Sequence, residues 1–352
     1  MSLELDAITA DVPETPGYLE NKEEVIKGNP QDAQAWIDIG RAQLKAENWE
    51  EAEEALSRSV KLDPQSAEGW NGYLWTLRYL EKYDNLLTES LKAINTNPKW
   101  AGNYYYQGIA LSNLERYEES VQAFDKAIVI EPQYLDAWID KGTALNSLEQ
   151  YNESLQAFDT AIQIQPKSPQ SWLAKANALA YSGEYEEAFQ AYDKAILIQP
   201  DYYYAWNNKG FFLGELERYE EAEEAYTKAI QINPDSAVTW SNLGAALNNE
   251  AKFEEAITAA DKAILLDSSL SHPWYVKGFA LAGKGEYDKA IPAFDKAIQL
   301  DPKDGYYWYT KGFCLEMMGD NEEAIEAYDK AISLGDESAV KAKKAILRSR
   351  II

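Results

Sequence analysis

The chain has 352 residues, of which 46% are hydrophobic and 12% aromatic, so it can build a packed interior and is not a disordered chain. Its 59 acidic and 33 basic residues give a net charge of −26 at pH 7. This charge repels phosphate backbones and anionic lipid surfaces, which argues against nucleic-acid and membrane partners. The single cysteine excludes an internal disulfide, and neither a signal peptide nor an apolar run of about 18 residues occurs, so we expect a cytoplasmic protein.

The first 32 residues stand outside the pattern that governs the rest of the chain. Residues 1–16 contain Pro13 and Pro16 and are predicted to form a flexible acidic arm. Residues 17–32 are predicted to form a lone helix that caps the front of the following repeats, because Pro30 punctuates its end.

From residue 33 onward the sequence repeats with a period of 34 residues. Proline recurs at this interval, with Ser268 at the one vacant position, as Pro30, Pro64, Pro98, Pro132, Pro166, Pro200, Pro234 and Pro302. Tryptophan recurs at the same interval, with Tyr104 in the one gap, as Trp36, Trp70, Trp138, Trp172, Trp206, Trp240, Trp274 and Trp308. A small residue follows most of these aromatic positions by four residues, and a leucine follows by seven in every repeat but the first. A fixed period of this length indicates a repeat architecture.

Each repeat contains two amphipathic helices. Offsets of zero, four and seven residues place side chains on one helical face, and the same offsets recur in the second part of each repeat, as at Ala188, Tyr192 and Ala195. Acidic pairs such as Glu220 and Glu221 stand where second helices begin, as the helix dipole favours, so they are helix starts and not acid/base pairs. In the second repeat Leu74 and Ser90 replace the usual small residue and ring, so a local distortion is expected there.

The pattern Trp-x3-Gly-x2-Leu, then Ala-x3-[Phe/Tyr]-x2-Ala, then Pro, at a 34-residue period, resembles the tetratricopeptide repeat. The resemblance covers nine repeats without an insertion, at residues 33–66, 67–100, 101–134, 135–168, 169–202, 203–236, 237–270, 271–304 and 305–338. It implies an all-α fold, a right-handed superhelical α-solenoid of helix-turn-helix repeats with terminal capping helices. Residues 339–352, where lysines and arginines surround a few apolar positions, are predicted to form the C-terminal capping helix.

The two faces of each first helix have different predicted roles. At about 100° per residue, with the tryptophan at 0°, the small residue and the leucine lie within about 40° of it. The positions two before, one after, two after and five after the tryptophan lie on the opposite face. In tetratricopeptide proteins this opposite face lines the concave groove where partners bind. The tryptophans are therefore predicted to be structural, and the opposite face is predicted to contact ligand.

Rings and asparagines are most frequent on this opposite face in the second half of the chain. Both suit an extended peptide, because amides can hydrogen-bond its main chain and rings offer flat apolar area at low entropic cost. The predicted peptide-binding residues are Tyr105, Asn177, Tyr204, Asn207, Asn208, Phe211, Asn242, Tyr275, Phe279, Tyr306, Tyr309 and Phe313. The alternative is that these rings pack against second helices of neighbouring repeats or form a self-association surface.

Three other features of the sequence suggest chemistry, but their context argues against it. Residues 278–284 match most of a phosphate-binding loop, yet Gly285 replaces the required serine or threonine, and the segment is helical. His272 is the only histidine and has no second metal ligand in its pattern. Cys314 stands where most repeats have alanine and is predicted to be a core residue. The sequence therefore predicts no catalytic residue, metal site or cofactor.

The predicted function is a non-catalytic protein–protein interaction scaffold that binds an extended protein or peptide segment in its groove. Arg41 is the only lysine or arginine at the four groove positions of all nine repeats. This argues against the lysine and arginine clamp with which chaperone-binding tetratricopeptide domains hold a C-terminal carboxylate, and it favours a neutral or basic partner. Two alternatives stay open, namely a homo-oligomeric assembly module and the regulatory array of a larger protein.

Overall fold

The computed structural model describes residues 5, 8–10, 12, 24, 26, 27 and 29–349, and its regular elements are all α-helices. Most of the predicted arm over residues 1–16, most of the predicted cap over 17–32 and the last residues of the predicted cap over 339–352 lie outside the described residues. The chain divides into two compact parts, Met1–Gly183 and Glu184–Ile352, which we call the N-terminal and C-terminal halves.

Helices follow one another in pairs in both halves. The N-terminal half contains α1 (Ala33–Lys45), α2 (Trp49–Leu62), α3 (Ala67–Tyr79), α4 (Tyr83–Thr96), α5 (Ala101–Asn113), α6 (Tyr117–Ile130), α7 (Leu135–Ser147), α8 (Tyr151–Ile164) and α9 (Pro169–Tyr181). The C-terminal half contains α10 (Tyr185–Ile198), α11 (Tyr203–Glu215), α12 (Tyr219–Ile232), α13 (Ala237–Asn249), α14 (Phe253–Leu266), α15 (Ser271–Gly283), α16 (Tyr287–Leu300), α17 (Gly305–Met318), α18 (Asn321–Ser333) and α19 (Ser338–Ser349). Up to α18, the odd-numbered helices are the first and the even-numbered helices the second of each repeat. The predicted all-α fold of tandem helix pairs is confirmed.

The first helices form a continuous layer within each half. In the N-terminal half α1, α3, α5, α7 and α9 contact one another in chain order, and in the C-terminal half α11, α13, α15, α17 and α19 do the same. Among the described residues, successive second helices share no contact of comparable extent. The first-helix layer is therefore the closely packed, inner one. We call its surface opposite the repeated tryptophans the inner face.

In most helix pairs, a glycine of the first helix packs against a large side chain that lies 16 residues later, in the second helix. A Cβ built on Gly108 would lie 2.5 Å from Phe124 Cε1, and one on Gly210 would lie 2.9 Å from Tyr226 Cδ1. The same contact recurs at the pairs Gly40 and Leu56, Gly142 and Phe158, Gly278 and Phe294, and Gly312 and Tyr328. These large side chains are buried. Glycine is therefore needed because the partner side chain occupies the space that a Cβ would take.

Two repeats satisfy the same packing with other residues. In the second repeat the sizes are reversed, because Leu74 is large, Ser90 is small, and both are fully buried. Helices α3 and α4 keep the lengths of the other pairs, 13 and 14 residues, but they contact each other far less extensively than the helices of most other repeats, in line with the distortion expected there. In the seventh repeat Ala260 replaces the ring, and Val276 of the next first helix lies against Gly244 instead. Different side chains therefore fill the space between the two helices in these two repeats.

The repeated tryptophans tie each first helix to the turn that precedes it. Each indole Nε1 donates a hydrogen bond to the main-chain oxygen six residues earlier, at 2.9 to 3.4 Å. That oxygen belongs to the repeated proline, or to Ser268 in the eighth repeat. Trp70 is buried, whereas the other seven tryptophans remain partly exposed. The predicted structural role of the tryptophans is confirmed. It depends on this hydrogen bond as well as on the burial of the ring.

The turn between the two helices of each repeat contains one residue with left-handed backbone. The angle φ is 55° to 59° at the six residues that are not glycine, namely Glu47, Glu81, Glu115, Glu149, Glu217 and Ala251. Glycine occupies the equivalent position in the other three repeats, at Gly183, Gly285 and Gly319. A left-handed backbone costs an L-residue roughly 1 kcal/mol that glycine avoids.

Two glycines of α11 allow the glycine contact to be tested within one helix. We expect Gly210→Ala to destabilise the chain by about 1 to 3 kcal/mol, because its Cβ would overlap the Tyr226 ring. Gly214→Ala is the control, since nothing lies within 4 Å of the Cβ position at Gly214. It removes a helical glycine and should stabilise by about 0.5 to 1 kcal/mol. Thermal unfolding followed by circular dichroism measures both changes, and a shift of the same sign in the two variants would contradict the contact.

The left-handed turn can be tested with two exposed glutamates. We expect Glu217→Gly to raise the unfolding temperature by relieving the left-handed φ of 58°, for a gain of up to about 1 kcal/mol. Glu224→Gly changes charge and side chain in the same way inside α12, where glycine is unfavourable, and should destabilise by about 1 kcal/mol. Chemical denaturation of both variants gives the comparison. Destabilisation by Glu217→Gly would show that the turn carries no strain.

Candidate peptide-binding site

Four exposed rings stand on the inner face of the C-terminal half. The exposed fractions are 59% for Tyr204, 42% for Phe211, 46% for Tyr306 and 42% for Phe313. Three further rings at inner-face positions of the same half, Tyr275, Phe279 and Tyr309, are partly buried. We call these seven residues the ring face. The predicted rings of the C-terminal half thus all lie at the protein surface in whole or in part.

The exposed rings occur as two equivalent pairs. Tyr204 and Phe211 lie seven residues apart on α11, and Tyr306 and Phe313 have the same spacing on α17. Seven residues are two helical turns, or about 10.5 Å along the axis, so both members of a pair point to the same side. Each pair therefore offers two apolar contacts in a row on one helix.

Ring contacts connect α15 and α17 and hold their part of the ring face in place. The Tyr275 ring centroid lies 5.9 Å from that of Phe279 and 5.7 Å from that of Tyr306. Tyr306 in turn stacks on Tyr309 at 5.9 Å. Such offset and tilted arrangements are favourable beyond simple burial. Burial also raises the pKa of Tyr275, so this hydroxyl stays protonated over the physiological range.

The predicted asparagines of the C-terminal half already take part in hydrogen bonds. Thr239 Oγ1 donates to Asn207 Oδ1 at 2.9 Å, and Asn207 Nδ2 donates to Asn208 Oδ1 at 3.3 Å. The Asn242 amide lies close enough to the Tyr226 hydroxyl to lower its pKa, although burial raises that pKa overall. An amide has two donor hydrogens and two acceptor lone pairs, so these bonds orient each side chain without using its full capacity.

Two predicted site residues lie in the N-terminal half, apart from the ring face. Tyr105 is only 2% exposed, and its ring packs against Phe124 and Tyr134. It therefore has almost no surface to offer a ligand, and we leave it out of the proposed contact surface. Asn177 is partly buried on α9.

A pocket of about 420 Å³ opens on the inner face of the N-terminal half. Several of its lining residues stand eight or nine positions after the repeated aromatic, one turn beyond the positions considered in the sequence, namely Arg78, Tyr79, Ser112, Asn113 and Ser147. At about 100° per residue, the ninth position points at 180°, directly opposite the tryptophan. The helical angle that identified the other groove positions would therefore have found Tyr79, Asn113 and Ser147, whereas Arg78 and Ser112, at about 80°, lie outside that range.

The wall of this pocket contains an opposite-charge pair joined through a tyrosine. The hydroxyl of Tyr105 donates to Asp140 Oδ2 at 3.0 Å and accepts from Arg78 Nη1 at 3.4 Å. Burial and the nearby Asp140 carboxylate raise the pKa of Tyr105 well above its ordinary value. The hydroxyl is therefore held protonated between an arginine and a carboxylate. Arg78 is also a basic inner-face residue that the four groove positions did not include.

His272 and Cys314 lie in the C-terminal half, and the environment of each side chain suits a structural role. His272 Nδ1 and Ser241 Oγ are 2.7 Å apart, within hydrogen-bonding distance, and burial lowers the pKa of the imidazole. Cys314 is fully buried, and burial raises the pKa of its thiol to about 11. The thiol is therefore protonated at neutral pH and a poor nucleophile. Within the described ranges, no group of three or more His, Cys, Asp and Glu side chains could hold a metal ion.

Tandem helix pairs with a layered inner face define a helical repeat protein. Sequence models of the tetratricopeptide repeat match residues 19–73, 105–169, 169–202, 203–236, 225–258, 273–304 and 293–326. The chain belongs to the tetratricopeptide repeat family, and the resemblance seen in its sequence is confirmed. None of the curated proteins compared with this sequence matches it.

Several solved structures share the fold. The Cut9–Hcn1 hetero-tetramer of the APC/C has a TM-score of 0.56 at 18% identity, over 90% of this chain and 64% of that one, so this chain spans less than two thirds of it. PilF of Pseudomonas aeruginosa has a TM-score of 0.53 at 21% identity, over 60% of this chain and 96% of that one. Yeast Tom70 has a TM-score of 0.51 at 13% identity, over 100% of this chain and 88% of that one. At these identities the likeness concerns the fold alone. Among the described residues, no helix combines the length and apolar character needed to cross a bilayer.

The lone histidine gives a direct test of the inner-face environment. We expect the His272 pKa to lie below the ordinary value of about 6.5, because burial disfavours the imidazolium more than the Asp304 carboxylate favours it. The unfolded chain then takes up this proton at a higher pH than the folded chain. The contribution of His272 to stability is therefore full above about pH 6.5 and is lost as the pH falls through the lower folded pKa.

The measurement is an NMR titration of the His272 Cε1 proton, which is unambiguous because the chain has one histidine. His272→Gln removes the titration, so the stability of that variant should fall less between pH 7 and pH 5 than that of the wild type. A midpoint at or above 6.5 would show that the imidazole is more open to water than the structure indicates.

Proposed function

We propose that this chain is a non-catalytic protein–protein interaction scaffold whose ring face binds an extended protein segment. The observation that carries the proposal is the exposure of four large rings, Tyr204, Phe211, Tyr306 and Phe313, on one inner face. Large apolar side chains that remain exposed together on one face of a protein often mark an interaction site. Membership of the tetratricopeptide repeat family supports the same reading.

Rings of this kind are efficient contacts for a flexible partner. A tyrosine or phenylalanine can bury 150 to 250 Å² and has only two side-chain torsions to immobilise, so it contributes large contact area at low entropic cost. The rings on α15 and α17 already pack against one another, which fixes part of the surface before a partner arrives. The scaffold therefore loses little freedom on binding, and the partner bears most of the ordering cost.

The asparagines would complete the recognition by reading the partner's main chain. The bond from Thr239 fixes the amide plane of Asn207, and Asn208 lies beside it on the same helix. An extended segment presents alternating N–H and C=O groups, which oriented amides can satisfy in both senses. The rings would then contribute most of the affinity, and the amides would fix the position of the segment along the groove.

The charge of the chain restricts the partner. A net charge of −26 favours association with neutral or basic segments and slows the approach of acidic ones. The proposed partner is therefore a neutral or basic protein segment and not a nucleic acid or a membrane. A cytoplasmic location belongs to the same proposal, since a chain with one cysteine has no internal disulfide and so suits a reducing compartment.

A double substitution on α11 tests the role of the ring face. A random peptide library displayed on phage is selected on the immobilised full chain, and binding of enriched peptides is measured by fluorescence anisotropy. We expect Tyr204→Ala with Phe211→Ala to weaken binding by about 30-fold or more, because truncated aromatic contacts at interfaces typically cost 1 to 2 kcal/mol each. The unfolding temperature should change little, since both rings are exposed.

Leu265→Ala is the matched control, because Leu265 is a large exposed side chain on the second helix α14, away from the inner face. It should leave peptide binding unchanged. Equal binding of the selected peptides to the wild type and to the double variant would exclude the ring face as the binding surface. Light scattering at two concentrations distinguishes the self-association alternative, which requires a concentration-dependent mass that the double variant abolishes.

A further inference from the structure

Described residues from the N-terminal segment lie on the inner face of α1. Arg41 Nε donates a hydrogen bond to the main-chain oxygen of Ile8 at 2.6 Å, and Lys45 Nζ donates to the main-chain oxygen of Val12 at 3.0 Å. Arg41 and Lys45 are four residues apart on α1, so they point to the same side of the helix. Two basic side chains thus hold two carbonyl groups of one segment.

The segment is also packed against the core. Thr9 and Val12 are buried, and Leu5 and Ile8 pack against the hydrophobic core cluster that includes Leu44. Local bonds give the segment a turn, because Thr9 Oγ1 donates to Leu5 O at 2.8 Å and Val12 N donates to Thr9 O at 3.0 Å. It therefore contributes apolar side chains and main-chain carbonyls to the same surface.

Inner-face positions differ in exposure between the two halves. Five residues after the repeated aromatic, Phe211 and Phe313 are 42% exposed, whereas Trp75, which stacks on Tyr79, is 2% exposed. One residue after it, Ile37 of α1 is almost fully buried.

We propose that the N-terminal segment, through its described residues 5, 8–10 and 12, is an intramolecular ligand of the inner face of α1 and competes with an incoming peptide for that surface. Arg41 also forms an ion pair with Glu68 of the neighbouring first helix, which holds its guanidinium in place for the carbonyl bond. Every peptide has main-chain carbonyl groups. Arg41 and Lys45 can therefore bind another segment that carries apolar side chains at the same spacing.

The segment and its contacts belong to the N-terminal half, so its competition with a peptide does not depend on whether the ring face binds a partner.

The test uses a fluorescein-labelled synthetic peptide of residues 3–14 and fluorescence anisotropy with the full chain. Ile8→Asp with Val12→Asp releases the segment, because it places charges at one partly buried and one buried apolar position. We expect the labelled peptide to bind this variant at least tenfold more tightly than the wild type, since a tethered competitor acts at an effective concentration on the order of millimolar. Adding Arg41→Ala should abolish that binding.

Ala10→Asp is the matched control, because Ala10 lies in the same segment, is exposed and gains the same charge. It should bind the peptide as weakly as the wild type does. Equal affinity for the wild type and the released variant, or no binding to the released variant, would overturn the proposal.

A second measurement does not depend on the released variant. Hydrogen exchange followed by mass spectrometry should show faster exchange of residues 3–14 in Arg41→Ala with Lys45→Ala than in the wild type. Lys61→Ala, an exposed lysine of α2, is the control and should leave the exchange unchanged. Unchanged exchange in the double variant would likewise overturn the proposal.

Discussion

The contact between a glycine of the first helix and a large side chain of the second sets the geometry of most repeats. At Gly108 the ring of Phe124 lies where a Cβ would be, so the two helix backbones approach as closely as the ring allows. This contact fixes not only the distance between the helices but also the rotation of the first helix about its axis. Once the glycine side of that helix is turned towards its partner, the opposite side must form the inner face. The inner-face positions of these repeats follow from this rotation.

The other repeated interactions connect each first helix to the turn and the second helix that precede it, and they keep successive repeats in register. The tryptophan N–H bond to the proline oxygen holds the turn before each first helix. Lysines of several first helices form ion pairs with an aspartate of the preceding second helix, as between Lys141 and Asp125 at 2.6 Å. Exposed pairs of this kind add little stability singly, but their spacing repeats with the sequence. Packing therefore determines the repeat, and polar contacts determine how one repeat follows the next.

The sequence was sufficient to predict the helices, their pairing and which side of each first helix packs in the core, because these depend on side-chain spacing. It was insufficient for features that involve the main chain. The left-handed turn residue is glutamate at five positions, and glutamate carries no composition signal for that conformation. The burial of Tyr105 depends on neighbouring rings from other helices. The contacts of Arg41 and Lys45 use carbonyl oxygens, which every residue possesses, so no pattern of side chains could have identified them.

The two halves use the same backbone geometry for different surfaces. In the C-terminal half, inner-face positions carry rings that neighbouring helices leave exposed, which suits a partner supplied from outside. In the N-terminal half, the same positions carry charged and large apolar residues, and a segment of the chain itself covers part of them. A repeat fold allows this division because each repeat needs only its neighbours for stability, so inner-face residues are free to differ between repeats. The inner face can therefore be open to a partner in one part of the chain and covered in another, while the glycine contact beneath it recurs in both halves.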